Sequence, residues 1–156
     1  MSIGDTIDVR TQGQGMKLLD YPEILLRNMS PALLEKMNIT EKDGKLTVGV
    51  AKIVPGCIMG SGLGASTSYY GDYDKQICQQ YGLDQLRFGD IVAIQDADTR
   101  YGRNFITGAI TIGVVVHSDC ILSGHGPGVT TLMTCKTPLI EPVIDQSANL
   151  ADFFLK

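Results

Sequence analysis

Both histidines of this 156-residue chain lie close together, beside a carboxylate and a thiol. The segment His117-Ser118-Asp119-Cys120 is followed by Gly124-His125-Gly126-Pro127-Gly128. Histidine, aspartate and cysteine are ligands of zinc and other divalent metals, and a histidine beside a cysteine is also the arrangement of an activated thiol nucleophile. The pattern equally fits a hydrogen-bonded histidine at a strand end and a cysteine buried as a small hydrophobic residue. One hypothesis is therefore a divalent metal site with ligands His117, Asp119 and His125, as in a metal-dependent hydrolase.

A second group of reactive side chains follows a predicted strand that ends near Gln95. Asp96 and Asp98 stand at alternate positions and could offer two oxygens to a cation. Arg100 and Arg103 could hold a carboxylate or a phosphate through paired hydrogen bonds. The alternative is a surface loop whose acidic and basic groups pair with one another.

Glycine-rich loops are the third feature that could bind a ligand. Around His125, the glycines Gly126 and Gly128 precede Thr130 and Thr131, so free backbone N–H groups and hydroxyls could surround an anion. A glycine-dense turn without a ligand fits the same residues. The loop at 60–68 is also rich in glycine and serine but has no Walker A lysine, which leaves a ligand lid or a solvated connection. The leading hypothesis is one pocket for a small molecule or anion, in which His117 or His125 approaches the 96–103 loop.

The elements that must position these residues are mostly strands. The chain has 18 glycines, a density typical of a turn-rich β protein. Alternating apolar residues predict a central strand over 109–117, apolar on both faces, and further strands at 46–54, 90–95 and 129–135. A two-residue turn at 118–119 would lead into a strand at 120–123. Two short helices are predicted, one starting at the Ser30-Pro31 cap and one over 74–81, and residues 148–155 form a closing helix or tail. The expected fold is a single mainly-β domain over 1–156, a barrel or layered β-sandwich with two short peripheral helices.

Composition excludes several function classes. The hydrophobic fraction of 44% is too high for a disordered chain, and the net charge of −4 without a basic run argues against nucleic-acid binding. No apolar run reaches the roughly 18 residues of a membrane span, so no membrane association is expected. The N-terminal residues lack an export signal, which predicts a cytoplasmic protein. Its four cysteines form no C-x-x-C pair and are expected to be reduced.

Several stretches together resemble one uncharacterised prokaryotic family, domain of unknown function 4438. They are Gln14 to Pro22, Ser68 to Asp74, Tyr81 to Ile94, Gly108 to His117 and Gly124 to Leu132. The resemblance covers nearly the whole chain and implies a mainly-β, multi-layer fold with few helices. It also implies a family about twice this long, of which this chain resembles the C-terminal half. It implies no activity and no catalytic residues.

Three function classes stay open on the sequence. The first is a small-molecule or anion-binding domain whose site comprises Asp96, Asp98, Arg100, Arg103, His125, Gly126, Gly128, Thr130 and Thr131. The second is the metal-dependent hydrolase, and the third is a structural half-domain for assembly. Because a strand that is apolar on both faces needs cover on both, we expect a homo-oligomer or a partner that supplies the missing N-terminal half.

Overall fold

The structure is a computed structural model that describes residues 4, 6, 10–58, 75–117 and 127–155. It contains eight strands, three α-helices and two short 3-10 helices within these residues. The strands are β1 (Leu25–Leu26), β2 (Ile39–Lys42), β3 (Lys45–Val50), β4 (Lys52–Pro55), β5 (Ile91–Asp98), β6 (Asn104–His117), β7 (Gly128–Cys135) and β8 (Ile140–Ile144). The helices are α1 (Pro31–Lys36), α2 (Lys75–Gln80) and α3 (Leu150–Phe154), with 3-10 turns at Gly56–Ile58 and Leu83–Gln85.

The strands form two sheets. The larger has the order β1-β7-β6-β5-β4, and the smaller has the order β2-β3-β8. In the larger sheet β5, β6 and β7 are antiparallel neighbours, while β4 runs parallel to β5. In the smaller sheet β3 pairs antiparallel with β2 and parallel with β8. Neither sheet closes into a barrel within the described residues, so the fold is the layered one of the two mainly-β alternatives.

Two hydrophobic cores lie on opposite faces of the larger sheet. The first packs Ile112 and Met133 of that sheet against Val48 of the smaller sheet and Leu33 of α1. The second lies under α2 and the 3-10 turns, and its buried residues are Val54, Ile58, Cys78, Leu83, Ile94 and Ala97. The prediction of a central strand that is covered on both faces is therefore confirmed for residues 109–115, with cover supplied by this chain itself. Val116 and His117, beyond the covered part, are exposed.

The predicted strand over 46–54 is in fact two strands in different sheets. β3 ends at Val50 and β4 begins at Lys52, and the N–H of Ala51 between them donates to the carbonyl of Ile91. This bond holds the chain where it passes from one sheet to the other. Apolar periodicity alone does not mark such a crossing, because both halves are buried strands.

Both predicted helices are present, and the 148–155 segment contains the third. Ser30 caps α1 by accepting a hydrogen bond from Leu33 N at 3.1 Å, with Pro31 as the first helical residue. Asn149 caps α3 in the same way at Ala151 N and also donates to the buried carboxylate of Asp90 at 2.7 Å. No helix in the described part of the chain is long and apolar enough to cross a membrane.

The cysteines that the structure describes are free thiols. Cys57 is exposed, while Cys78 and Cys135 are buried. Cys120 and the predicted strand at 120–123 lie outside the described residues, as does the glycine-rich loop at 60–68.

Candidate functional site

Asp98, which is buried, forms an ion pair with the half-buried Arg100 where β5 ends. Both carboxylate oxygens are used, Oδ1 by Arg100 Nε and Oδ2 by the terminal Nη2, each at 2.9 Å. The side-chain hydrogen bond from Arg100 lowers the pKa of Asp98, while burial acts in the opposite direction. The positive charge of Lys136 lowers this pKa further, by a smaller amount. The same hydrogen bond raises the pKa of Arg100. Asp98 thus remains an anion that fixes the direction of the Arg100 guanidinium.

Asp96 lies only two positions from Asp98, but its side chain has a different hydrogen-bond partner. It adopts a left-handed backbone conformation, with φ of 55°, at a bulge between Gln95 and Ala97. Its Oδ1 accepts a hydrogen bond from the backbone N–H of Gly108 at 2.7 Å. Aspartate is among the few residues that tolerate this conformation, and its side chain satisfies an N–H that the bulge leaves unpaired. The two carboxylates therefore have separate hydrogen-bond partners.

Four threonine hydroxyls connect the 96–103 loop to β7. Thr99 Oγ1 lies 3.1 Å from Thr131 Oγ1 and 3.3 Å from Thr111 Oγ1. Thr111 donates to the carbonyl of Ala97 at 2.8 Å and lies 2.8 Å from Thr134 Oγ1, which accepts from Thr99 N. Thr111 and Thr134 are fully buried, whereas Thr99 and Thr131 are half-buried. The chain of hydroxyls thus ends at a half-exposed pair, Thr99 and Thr131.

The segment before α1 brings further donors to this pair. Arg27 donates through Nη2 to the carbonyl of Arg100, and Asn28 donates through Nδ2 to the carbonyl of Thr131 at 3.0 Å. Both side chains are exposed, and Asn28 has a positive φ of 48°. We call Arg27, Thr99, Arg100 and Thr131 the threonine–arginine site. It combines two hydroxyls in mutual contact with two guanidinium groups, of which Arg100 is paired with Asp98 and Arg27 bonds the carbonyl of Arg100.

Some predicted site residues do not join this arrangement through any contact that the structure describes. Arg103 is exposed near the turn between β5 and β6. Thr130 is the strand neighbour of Thr131, and successive residues of a strand face opposite sides of the sheet. Gly128 pairs with His117 across β6 and β7, and the imidazole of His117 occupies the space that a Cβ at position 128 would need.

The predicted metal ligands are only partly described. His117 is an exposed residue at the end of β6, while Asp119, His125 and Gly126 lie outside the described residues. Among the residues that the structure does describe, no group of three histidine, cysteine or acidic side chains is arranged to hold a metal ion.

Comparison with known families identifies the chain. The model for the C-terminal domain of unknown function DUF4438 matches residues 36–154, and the N-terminal model of the same family matches residues 1–35. The chain belongs to the DUF4438 family, so the resemblance found in the sequence is confirmed. The crystal structure of TM1086 is 47% identical, with a TM-score of 0.75 over 90% of this chain and 51% of that chain. This chain therefore spans about half the length of that protein. No curated protein matches.

Sequence reasoning did not identify Arg27, Thr99, Thr111 or Thr134 as part of the site. Thr99 lies inside the 96–103 loop, and its position between Asp98 and Arg100 was the available signal. Thr111 and Thr134 sit in buried strands, where a lone threonine in an apolar run indicates a hydroxyl that needs a partner. Arg27 comes from a distant segment, and no local pattern connects it with Arg100.

Proposed function

We propose that this chain binds a small anion, an inorganic oxyanion or the carboxylate of a small molecule, at the threonine–arginine site. The contact between Thr99 Oγ1 and Thr131 Oγ1 at 3.1 Å carries the proposal, since it joins the two segments from which the site was expected. Hydroxyl and guanidinium groups, both present on these segments, are the donors that anions bind in proteins.

The electrostatics of the site support the same ligand class. The protein has a net charge of −4, yet Asp98 is paired with Arg100 and lies in the field of Lys136, while Arg27 donates to the carbonyl of Arg100. Asp98 holds Arg100 in place through its Nε and one Nη, as an orienting partner does. An arginine fixed in this way loses less conformational entropy when it meets a ligand than a free side chain does.

Titration with inorganic phosphate and with acetate, followed by backbone amide NMR, tests the proposal. Phosphate or acetate should shift the amide signals of Thr99, Arg100 and Thr131 in a saturable way. Arg27→Gln should weaken binding about tenfold, because a hydrogen bond to a charged group is lost. Arg10→Gln is the matched control, since Arg10 is also an exposed arginine and should leave the affinity unchanged. Shifts spread over the whole surface, or equal effects of both variants, would refute the site.

We further propose that the chain forms one domain that works in the cytoplasm, with reduced thiols, as a homo-oligomer or with a partner protein. Free thiols at Cys57, Cys78 and Cys135 support the redox part of this proposal. Exposed apolar side chains, among them Phe88 at 66% and Leu155 at 83% exposure, support an interface with another chain.

A further inference from the structure

A cavity of about 280 Å³ lies away from the residues of the threonine–arginine site. Its wall comes from three places: the segment 18–21, Leu34 on α1, and the β2–β3 hairpin. Ile39 and Glu41 are two positions apart on β2 and so share one face of the strand, and Leu46 pairs with Glu41 across the hairpin. The cavity therefore sits where residues matched by the N-terminal family model meet residues matched by the C-terminal one.

The floor of this cavity is apolar. Leu46 is buried, and Leu18, Leu34 and Ile39 are half-buried, all of them packed at the edge of the first core. Leu19 at the mouth is 90% exposed. A concave apolar surface of this size can remove a short alkyl chain or a ring from water, which is the main source of affinity in small-molecule sites.

The rim of the cavity is acidic. Asp20 and Glu41 are exposed carboxylates that line it, and Tyr21 lines it as well. The pKa of Tyr21 is raised by partial burial, by its hydrogen bond with Glu41 and by the charges of Glu41 and Asp20. Tyr21 therefore stays protonated, and its hydroxyl donates a hydrogen bond to the Glu41 carboxylate. Neither Asp20 nor Glu41 forms an ion pair with a lysine or arginine among the described residues.

We propose that this cavity binds an amphiphilic organic cation, an alkylammonium group whose apolar part fills the floor while its ammonium meets Glu41 and Asp20. Two carboxylates attract a cation and repel an anion of the same shape. The faces of the tyrosine ring favour a cation as well. The apolar floor selects against a hydrated inorganic cation, which would gain nothing from the leucine and isoleucine side chains.

Three probes with one tail and different heads test this inference: hexylammonium, hexanol and hexanoate. Isothermal titration calorimetry and amide NMR are run on the full chain. Hexylammonium should bind most tightly and shift the signals of Tyr21, Ile39 and Glu41, hexanol should bind more weakly, and hexanoate should bind weakest. Binding of hexanoate as tight as that of hexylammonium, or no binding of hexylammonium at millimolar concentration, would overturn the proposal.

The variant Glu41→Gln separates charge from shape. It should weaken hexylammonium binding about fivefold and leave hexanol binding unchanged, because one exposed ion pair is lost while the cavity keeps its form. Glu141→Gln is the matched control on the exposed strand β8, and it should change neither affinity. An unchanged hexylammonium affinity in Glu41→Gln would overturn the role of the rim. Melting temperatures of both variants show that each is folded, and phosphate binding at the other site is expected to be independent of either change.

Discussion

At the scale of single residues, Asp98 is the side chain whose replacement we expect to reduce the stability of the site. It is 4% exposed and accepts three hydrogen bonds from Arg100, two from the guanidinium and one from the backbone N–H. An Asp98→Asn variant leaves Arg100 without its anionic partner. We expect it to lower the free energy of unfolding at pH 7 by roughly 1–3 kcal/mol, the usual cost of an unsatisfied buried group. Chemical denaturation measures this loss, and Asp84→Asn, at an exposed aspartate, is the control.

The pH dependence of this loss follows from the lowered pKa of Asp98 in the folded protein. The contribution of the carboxylate is fully present above the unfolded pKa, about 3.9, and disappears as the pH falls through the lower folded value. The difference between wild type and Asp98→Asn should therefore be constant from pH 7 to about pH 5 and shrink below about pH 4. Asp145, whose pKa is also lowered, titrates in both proteins and cancels. A difference that grows on acidification would contradict this account.

The residue types at the site were predictable, but their roles were not. The sequence predicted a site at the 96–103 loop because acids and arginines cluster there. It could not show that Asp96 occupies a bulge, because a left-handed residue inside a strand follows from the register of β5 on β6. Nor could it show that Arg27 reaches Arg100, since this contact joins residues far apart in the chain.

At the scale of elements, the pairing of β6 with β7 depends on a glycine. Gly113 lies at a register shift in that pairing, and a Cβ there would sit 2.9 Å from the carbonyl oxygen of Thr130 and in collision with Val129. A backbone carbonyl oxygen in a sheet cannot move aside without disturbing the hydrogen bonds between the strands. We expect Gly113→Ala to lower the free energy of unfolding by about 1–3 kcal/mol, as overpacking does, and to disturb Thr131.

The control for this variant is Gly44→Ala in the turn between β2 and β3. There a Cβ meets open space, and only the positive φ of 71° is unfavourable. Its cost should be about 1 kcal/mol without any effect on the NMR signal of Thr131. Equal unfolding free energies for Gly113→Ala and wild type would mean that the bulge accommodates a side chain.

The sequence predicted a helix or strand correctly where a local pattern was enough to specify it. The N-cap at Ser30 and the apolar alternation of 109–117 each specify an element locally, and both are present. β6 nevertheless begins at Asn104, five residues earlier than expected, because Asn104 and Phe105 pair with β5 beyond the bulge. The division of 46–54 between two sheets was missed for a related reason, since it depends on partners elsewhere in the chain.

At the scale of the whole molecule, we expect the chain to sediment as a species larger than its 16.8 kDa monomer at micromolar concentration. The central strand does not itself require a partner chain, because two intramolecular cores cover residues 109–115 on both faces. The reason is the set of exposed large apolar side chains, including Phe105 at 60% and Ile144 at 56% exposure.

Analytical ultracentrifugation of wild type and of Ile144→Lys measures this expectation. The variant places a charge on the exposed end of β8 and should shift the protein toward the monomer, if β8 lies at the interface. Val143→Lys on the same strand is the companion variant. A wild-type protein that sediments as a folded monomer would refute self-association altogether.

The parallel pairing of β3 with β8 has a consequence for the order of events during synthesis. Leu46 meets Ile140, and Val50 meets Ile144, so the two strands are separated by on the order of ninety positions along the chain. At the usual elongation rate, the ribosome needs roughly 5 to 20 seconds to make the intervening segment. During that interval β3 can pair with β2, but its other edge, with Leu46, Val48 and Val50, has no partner. The nascent chain therefore presents an open apolar strand edge for several seconds, which is a natural point for chaperone binding or for premature aggregation.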